Sequence, residues 1–498
     1  MSLPIAKKAD PESGFADPTA DGHVEPSSPR SDSLDSGIVE GVDYGLRGST
    51  FFGTMLNCIN SIIGSGVLGL PATIGACGWG LGVILFFIGA GLTQFGLFML
   101  FSVMVQYGGD QQSFGRTAET VSKWMPFFAS FCVFVITFTI SIAYLGIASN
   151  QLIPSVAFLQ GRSAEYEQLM GEINAGSDAS TPWYWNNTFY VSLGWLLLAF
   201  PLSVPKKLTV LQYTSGVAVA AILFATGVVV AYTFAPVEEQ CVAFMNKNNL
   251  TECVGDKCCT DSTLVNCCVG DMPVFVSDPV KIIQSIPVII VAFCCAPQAY
   301  AYYNDIVNPT RARLSGVTAL SLLIVTALYL TIALCGFFTF GTNVASSVLA
   351  SYPLTGAVTA ARIGVAFVVL VSYPLLMQPC RDSSIHMIDV VTSLVSGHGV
   401  SAPGTKKGNI VFYVVLSILC ILTYLFALLN VDLAVLLNIS GTFAVAPLCF
   451  IFPAIFYLKL VPNLPLAHKV GAVSTGLVGL FITVANIVLW ITTGTVSF

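Results

Sequence analysis

The stretch NSIIGSGVLGLP, from Asn60 to Pro71, lies in the first long apolar segment of the chain and decides how the remaining segments are interpreted. Its centre, Gly64-Ser65-Gly66, falls at mid-membrane depth if that segment spans a bilayer. Glycine weakens a helix, and a backbone that loses helical hydrogen bonds inside a bilayer has to find other partners. The stretch therefore predicts a broken helix that lines a binding site for a polar solute or an ion. The alternative is an unbroken helix whose small residues let a neighbour pack closely.

The composition is that of a membrane protein with many spanning segments. Of the 498 residues, 55% are hydrophobic and 9% are charged, whereas soluble proteins have about 25% charged residues. The sequence has no basic clusters of the kind that bind nucleic acid. Residues 1–47 are poor in large apolar types, so we expect a disordered cytosolic tail and no cleaved signal peptide. The membrane domain then covers residues 48–498.

The chain has eleven apolar segments that approach the length needed to cross a bilayer, about 20 residues. The fourth is short, and a tight turn at Asn430-Val431-Asp432 separates the ninth from the tenth. We therefore predict an all-α fold with about eleven transmembrane helices. The segments lie at residues 49–76, 80–106, 123–154, 188–204, 208–235, 278–304, 311–340, 357–380, 408–430, 432–458 and 468–494.

The distribution of basic residues orients these segments. With the N-terminus in the cytosol, 15 of the 20 Lys and Arg residues fall on the cytosolic side, as the positive-inside rule requires. Two glycosylation sequons, at Asn186 and Asn249, then lie in loops on the opposite side, where glycosylation takes place.

The loop at residues 236–277 is rich in cysteine and is predicted to face away from the cytosol. An even number of cysteines in an oxidising compartment favours disulfides, although the sequence does not give their pairing. A metal site is the weaker interpretation, because thiols there tend to be oxidised. The loop contains six of the 15 cysteines: Cys241, Cys253, Cys258, Cys259, Cys267 and Cys268.

A second interruption is predicted in the sixth segment, SIPVIIVAFCCAPQAYAYYNDI, from Ser285 to Ile306. Pro297 lies near its middle, where proline removes a backbone donor and clashes with the preceding turn. If segments one to five and six to ten are inverted repeats, both interruptions occupy the first segment of a repeat. Interrupted segments at corresponding positions of two halves indicate a transporter binding site. A simple proline kink is the alternative.

Several motifs resemble one family of membrane carriers. NSIIGSGVLGLP is similar to the first-helix motif of the amino acid/auxin permease family, and most similar to that of its sodium-coupled neutral amino acid transporters. CGFFTFGTNVASSVLASYP, from Cys335 to Pro353, and GTFAVAPLCFIFPAIFYLKL, from Gly441 to Leu460, resemble the ends of the seventh helix and the tenth helix of that family. The resemblance implies the leucine-transporter-like fold, a five-plus-five inverted repeat with one added helix. The N-terminal tail and the six loop cysteines lie outside the family pattern.

A broken helix can bind an amino acid without any buried charge. The free N–H groups of a helix N-terminus suit a carboxylate, and unwound carbonyls suit a cation. We therefore expect the stretch around Gly64 to bind the substrate, with the amides of Ser65, Gly66 and Val67 holding the carboxylate. The carbonyls expected near the ammonium group are those of Ile62, Ile63, Phe293 and Cys294.

Sodium is the coupling ion that the resemblance implies. Asn60 matches the first-helix asparagine at the family's sodium site, and Ser372 matches its hydroxyl ligand in the eighth helix, where threonine is usual. The carbonyls of Ile63 and Val369 complete the expected ligand set. The proton is the alternative coupling ion. Some proton-coupled relatives use a lysine in the fifth helix, and residues 208–235 contain none.

Other function classes fit less well. The chain has no HExxH or GxSxG motif, and its only histidine in a predicted spanning segment is His468, the first residue of the last one, so we do not expect an enzyme. A channel would show a filter or a ring of charges. We predict a monomeric secondary active transporter for small neutral amino acids, with no cofactor except the coupling ion, and favour the plasma membrane over a vacuolar or lysosomal one. The alternatives are a proton-coupled carrier and an amino acid sensor with little flux.

Overall fold

A computed structural model describes residues 49–63, 65–107, 114–174, 181–205, 214–234, 270–396 and 406–494. These residues form helices joined by short connections, and their one β-type pairing is an isolated parallel bridge between Ser49 and Ile306. The predicted disordered tail and all six loop cysteines lie outside the described residues, so both expectations stay predictions.

The first half of the chain contains one interrupted segment and two long helices. Thr50 caps the first helix by accepting a hydrogen bond from the Gly53 amide at 3.1 Å, and Gly78, at φ +86°, ends the second. A side chain at Gly78 would lie 2.7 Å from the Val274 carbonyl, so only glycine fits there. The helices are α1 Phe51–Ile62, α2 Leu70–Cys77, α3 Trp79–Tyr107, α4 Phe114–Glu119, α5 Met125–Leu159, α6 Ser163–Asn174, α7 Asn187–Gly194, α8 Phe200–Ser203 and α9 Thr214–Thr233.

The second half begins at a helix capped by Asp278, whose side chain accepts from the Val280 amide at 2.9 Å. Its helices are α10 Pro279–Ala292, α11 Ala299–Asp305, α12 Arg311–Phe340, α13 Gly356–Ser396, α14 Lys406–Leu428, α15 Leu433–Ser440, α16 Phe452–Leu460 and α17 Leu466–Thr493. Two π turns, Gly441–Val445 and Pro447–Ile451, join α15 to α16 within one apolar span.

Seven helical stretches of the described chain are long and apolar enough to cross a bilayer singly, and one bent pair reaches that length together. Three shorter apolar helical stretches, Asn187–Ser203, Val217–Thr233 and Pro279–Ala292, overlap the fourth, fifth and sixth predicted segments. The all-helical membrane fold is therefore confirmed, while the count of eleven spans stays a prediction. Helix α13 continues to Ser396, well past the predicted end at residue 380, because hydropathy detects only its apolar part.

The helices pack in two groups that position the interruptions. Helix α12 packs along α1, α2 and α3, whereas α13 packs along α5 and α14, and α9 packs against both α12 and α13. Helix α10 contacts both α2 and α15, and α11 contacts α3 and α1. The first interrupted segment therefore lies along α12, and the second meets α12 at Tyr329, whose hydroxyl lies 3.1 Å from the Ala292 carbonyl.

Candidate functional site

The first interruption separates α1 from α2. The backbone leaves the helix at Ile63, with ψ 89°, and a short 3₁₀ turn follows at Ser65–Gly69 before α2 begins at Leu70. The helical stretches Phe51–Ile62 and Gly66–Cys77 are bent by 51° relative to each other. The first N–H groups of a helical turn have no partner within it. This turn can therefore offer N–H groups to an anion, as the sequence predicts for Ser65, Gly66 and Val67. Gly64 lies outside the described residues.

The second interruption separates α10 from α11. Helix α10 ends at Ala292, Phe293 has left helical geometry at φ −92° and ψ 1°, and α11 begins at Ala299. Pro297 lies within this gap, where the sequence places the break. Phe293 is fully buried, whereas Cys294 is partly exposed.

The two interruptions lie against each other. A Cβ atom built on Gly66 would lie 3.6 Å from the Ala292 Cα atom, which is ordinary van der Waals contact. Close packing therefore does not require glycine at this position. Close approach of a neighbouring helix therefore does not explain the glycine at position 66. The remaining explanation is that the Gly66 backbone has a binding role.

Tyr329 of α12 joins the two interruptions, and the sequence analysis missed it. Its hydroxyl lies 2.7 Å from the Ile62 carbonyl and 3.1 Å from the Ala292 carbonyl, and can donate to either. Each carbonyl belongs to the last residue of the helix that precedes an interruption, α1 or α10. The Tyr329 side chain is fully buried, and its ring lies 5.4 Å from that of Phe293. Nothing in the local sequence marks this tyrosine, because its partners are 267 and 37 residues away.

Gln298 is a second residue that the sequence analysis missed. It immediately precedes α11, within the second interruption. Its side-chain oxygen is buried and, within the described part of the chain, has no hydrogen-bond partner. A buried acceptor without a partner costs free energy, so it is a candidate ligand for a cationic group. A glutamine beside a proline in a predicted break is the sequence signal that could have identified it.

The predicted sodium ligands fall on both packing groups. The side chains of Asn60 and Ser372 are each partly exposed and make no hydrogen bond to any described residue. Asn60 lies on α1, which packs along α12, and Ser372 lies on α13, which packs along α5. The two residues therefore lie on different helices, and their assembly into one sodium shell stays a prediction.

Pro374 bears on which carbonyl of α13 is free to bind an ion. In an α-helix a carbonyl accepts from the N–H four residues later, so Tyr373 is the helical partner of Val369. Pro374 has no N–H, and the carbonyl that it leaves without a helical partner is that of Leu370. Leu370 therefore joins Val369 as a candidate ligand on α13.

Of the two glycosylation candidates, Asn186 is described and Asn249 is not. Asn186 caps α7, and its side-chain oxygen accepts a hydrogen bond from the Thr188 amide at 2.9 Å. The side-chain nitrogen, to which a glycan would attach, takes no part in the cap. Glycosylation at Asn186 stays a prediction.

Comparisons with known proteins identify the family of the chain. The family profile described as "Transmembrane amino acid transporter protein" matches residues 47–497. The chain is 27% identical over 459 residues to the sodium-coupled neutral amino acid symporter 2 of Danio rerio, covering 89% of this chain and 82% of that protein. It is 26% identical over 345 residues to the sodium-coupled neutral amino acid transporter 7 of Homo sapiens, covering 68% and 64%.

The resemblance proposed from the first and tenth segment motifs is thereby confirmed. The match extends through both interruptions and the whole described membrane domain. The chain therefore belongs to the transmembrane amino acid transporter family, whose members are integral membrane transporters and not enzymes.

Proposed function

We propose that the protein is a secondary active transporter that carries small neutral amino acids by alternating access and is coupled to sodium. The observation that carries this proposal is the Tyr329 hydroxyl, which lies between the carbonyls that end two interrupted helices. Two interruptions held together provide N–H donors and carbonyl acceptors within one site. An amino acid presents a carboxylate and an ammonium group on one carbon and needs both kinds of partner.

In the proposed binding mode, the substrate carboxylate accepts hydrogen bonds from the amides of Ser65, Gly66 and Val67. The ammonium group donates to carbonyls of Ile62, Ile63, Phe293 and Cys294, and the Gln298 side-chain oxygen is a further acceptor. No Asp, Glu, Lys or Arg occurs in residues 51–77 or 282–304. A neutral side chain on the substrate therefore fits better than a charged one, because an unpaired charge at this depth is costly.

The proposed sodium site lies between segment one and α13, and this position would couple sodium binding to substrate binding. Asn60 and Ile63 belong to segment one, whereas Ser372 and the Val369 or Leu370 carbonyl belong to α13. An ion that binds both sides favours the conformation in which they approach, and so favours closure around the substrate. Following the family resemblance, segments one, two, six and seven move against the others, within an eleven-helix five-plus-five arrangement plus one.

Uptake into proteoliposomes under imposed sodium or proton gradients tests this function. We expect wild-type uptake of a small neutral amino acid to follow the sodium gradient, and Asn60→Ala to abolish that dependence. Asn57→Ala is the matched control, because Asn57 lies on the same helix with an exposed side chain. Wild-type uptake that ignores sodium but follows a proton gradient would identify a proton-coupled carrier, and binding without flux would identify a sensor.

The cellular setting is part of the proposal. We propose a monomer in the plasma membrane, rather than a vacuolar or lysosomal one, with a cytosolic N-terminus. Surface biotinylation of intact cells and size measurement of the purified protein in detergent test these points. Recovery of the protein only in an internal membrane fraction, or as a stable dimer, would contradict them.

A further inference from the structure

Four thiol groups meet at the second interruption, and neither the proposed binding mode nor the proposed sodium site uses them. Cys294 and Cys295 are adjacent in the sequence, but their side chains contact different segments. The Cys449 sulfur, in the π turn Pro447–Ile451, lies 3.7 Å from the Cys294 sulfur. The Cys295 thiol instead contacts the Cys58 thiol of α1.

The surroundings of the Cys294–Cys449 pair permit the two sulfurs to approach further. A disulfide bond is about 2.05 Å long, so the 3.7 Å separation has to shorten by roughly 1.6 Å. Cys294 lies in a non-helical gap and Cys449 in a π turn, so neither is fixed by a regular α-helix. The connection Phe293–Gln298 can absorb such a shift without disrupting a helical hydrogen-bond ladder.

Exposure distinguishes the four thiols. Cys294 is partly exposed, whereas Cys58, Cys295 and Cys449 are buried. Cys294 is therefore the most exposed of the four thiols, with the Cys449 sulfur in contact behind it. A partly accessible thiol next to a second thiol is the arrangement in which oxidation leads to a disulfide rather than to higher sulfur oxides.

We propose that Cys294 and Cys449 form a reversible dithiol site that peroxides oxidise to a disulfide. The Cys294 thiolate attacks one peroxide oxygen, which gives a sulfenic acid and releases hydroxide, with the displaced thiol proton forming water. The Cys449 sulfur then attacks the sulfenic sulfur, and its own proton leaves with the hydroxyl group as a second water. Two thiols and one peroxide yield one disulfide and two waters, and a dithiol reductant reverses the change.

The disulfide would connect the second interruption covalently to the tenth segment. If the protein transports by alternating access, as proposed above, this connection stops transport, because the interruption can no longer move independently of the tenth segment. The effect on transport rests on that proposed function. The formation of the disulfide does not, so the two are measured separately.

The first measurement is peptide mapping of the full-length protein in lipid nanodiscs after treatment with hydrogen peroxide. We expect the peptide that carries Cys294 and Cys295 to become linked to the peptide that carries Cys449, and dithiothreitol to release it. Linkage to the Cys58 peptide instead, or no linkage, would overturn the proposal. This readout needs no transport activity, so it stands even if the proposed function fails.

The second measurement is amino acid uptake into proteoliposomes. Peroxide should lower wild-type uptake at least fivefold, and dithiothreitol should restore it. Cys449→Ser should lose this reversible response, with Cys449→Ala as a second variant if the serine protein does not fold. Cys335→Ser is the matched control, because Cys335 lies on α12 and should respond as the wild type does. An equal reversible loss in both Cys449 variants would overturn the link to transport.

Discussion

Replacing Tyr329 by phenylalanine tests the connection between the two interruptions most directly. The substitution keeps the buried ring and its contact with Phe293 but removes the hydroxyl near the Ile62 and Ala292 carbonyls. Loss of a buried donor leaves an acceptor without its partner, which costs about 1–3 kcal/mol. If that free energy holds the two breaks in the arrangement that binds substrate, it corresponds to a roughly 5–150-fold weaker apparent affinity.

The assay is uptake kinetics in proteoliposomes together with thermal unfolding of the purified protein. We expect Tyr329→Phe to raise KM for the amino acid about tenfold, with a smaller change in maximal rate. Tyr300→Phe is the control, because the buried Tyr300 hydroxyl donates at 3.0 Å to Thr117 Oγ1 of α4, which belongs to neither break. The Tyr300→Phe substitution should lower the thermal stability by a similar amount without raising KM. An unchanged KM in a folded Tyr329→Phe protein would refute the reasoning.

Two further predictions concern Gly66 and Glu167. Gly66→Ala should leave the melting temperature close to that of the wild type, since the methyl group meets only ordinary contacts, but should raise KM severalfold by crowding the carboxylate donors. Gly96→Ala, whose methyl group would overlap the Cys449 carbonyl, should instead lower the free energy of unfolding by about 1–3 kcal/mol. A destabilised Gly66→Ala protein together with a stable Gly96→Ala protein would contradict both expectations. Burial raises the pKa of Glu167 to about 7, against the opposing effect of Arg362, so its stabilising contribution is present below its ordinary value of 4.5 and is lost as pH rises through 7. Glu167→Gln should therefore flatten the fall in melting temperature between pH 5 and 8, and an unaltered pH profile would exclude this role.

The positions of the breaks were predictable from the sequence because each has a local cause. Glycines in the first segment and Pro297 in the sixth weaken the helix where they lie, and hydropathy gives their depth. Segment limits were less predictable. Helix α13 runs to Ser396 because its last turns are still helical after the apolar residues end, and hydropathy records polarity rather than helicity.

The contacts between the breaks could not be predicted, because they depend on residues far apart in the chain. Tyr329 resembles any aromatic residue in an apolar helix until its position against two carbonyls is known. The π turns of the tenth segment are a similar case. A Cβ on Gly441 would come 2.5 Å from the Pro287 carbonyl, so this close approach depends on a residue in another segment.

Other long-range contacts indicate where segment six bends during the proposed transport. Pro287 leaves the Ile283 carbonyl without a helical partner, and Asn486 of α17 donates to it at 3.4 Å. Asn438 of α15 donates to the neighbouring Gln284 carbonyl at 3.1 Å. Helix α10 is therefore held by α15 and α17, so both of these helices fix the half of segment six that precedes its interruption.

Helix α11 is held by different partners. The Ser49 amide donates to the Asp305 carbonyl, and the Val307 amide donates back to the Ser49 carbonyl, both at 3.1 Å. Tyr302 also hydrogen-bonds to Ser61 of α1. Because one half of segment six is fastened to α15 and α17 and the other half to α1, any relative motion of these helices has to be absorbed at residues 293–298. The backbone that is proposed to bind the substrate ammonium is thus also the connection that has to bend, which couples substrate binding to the conformational change.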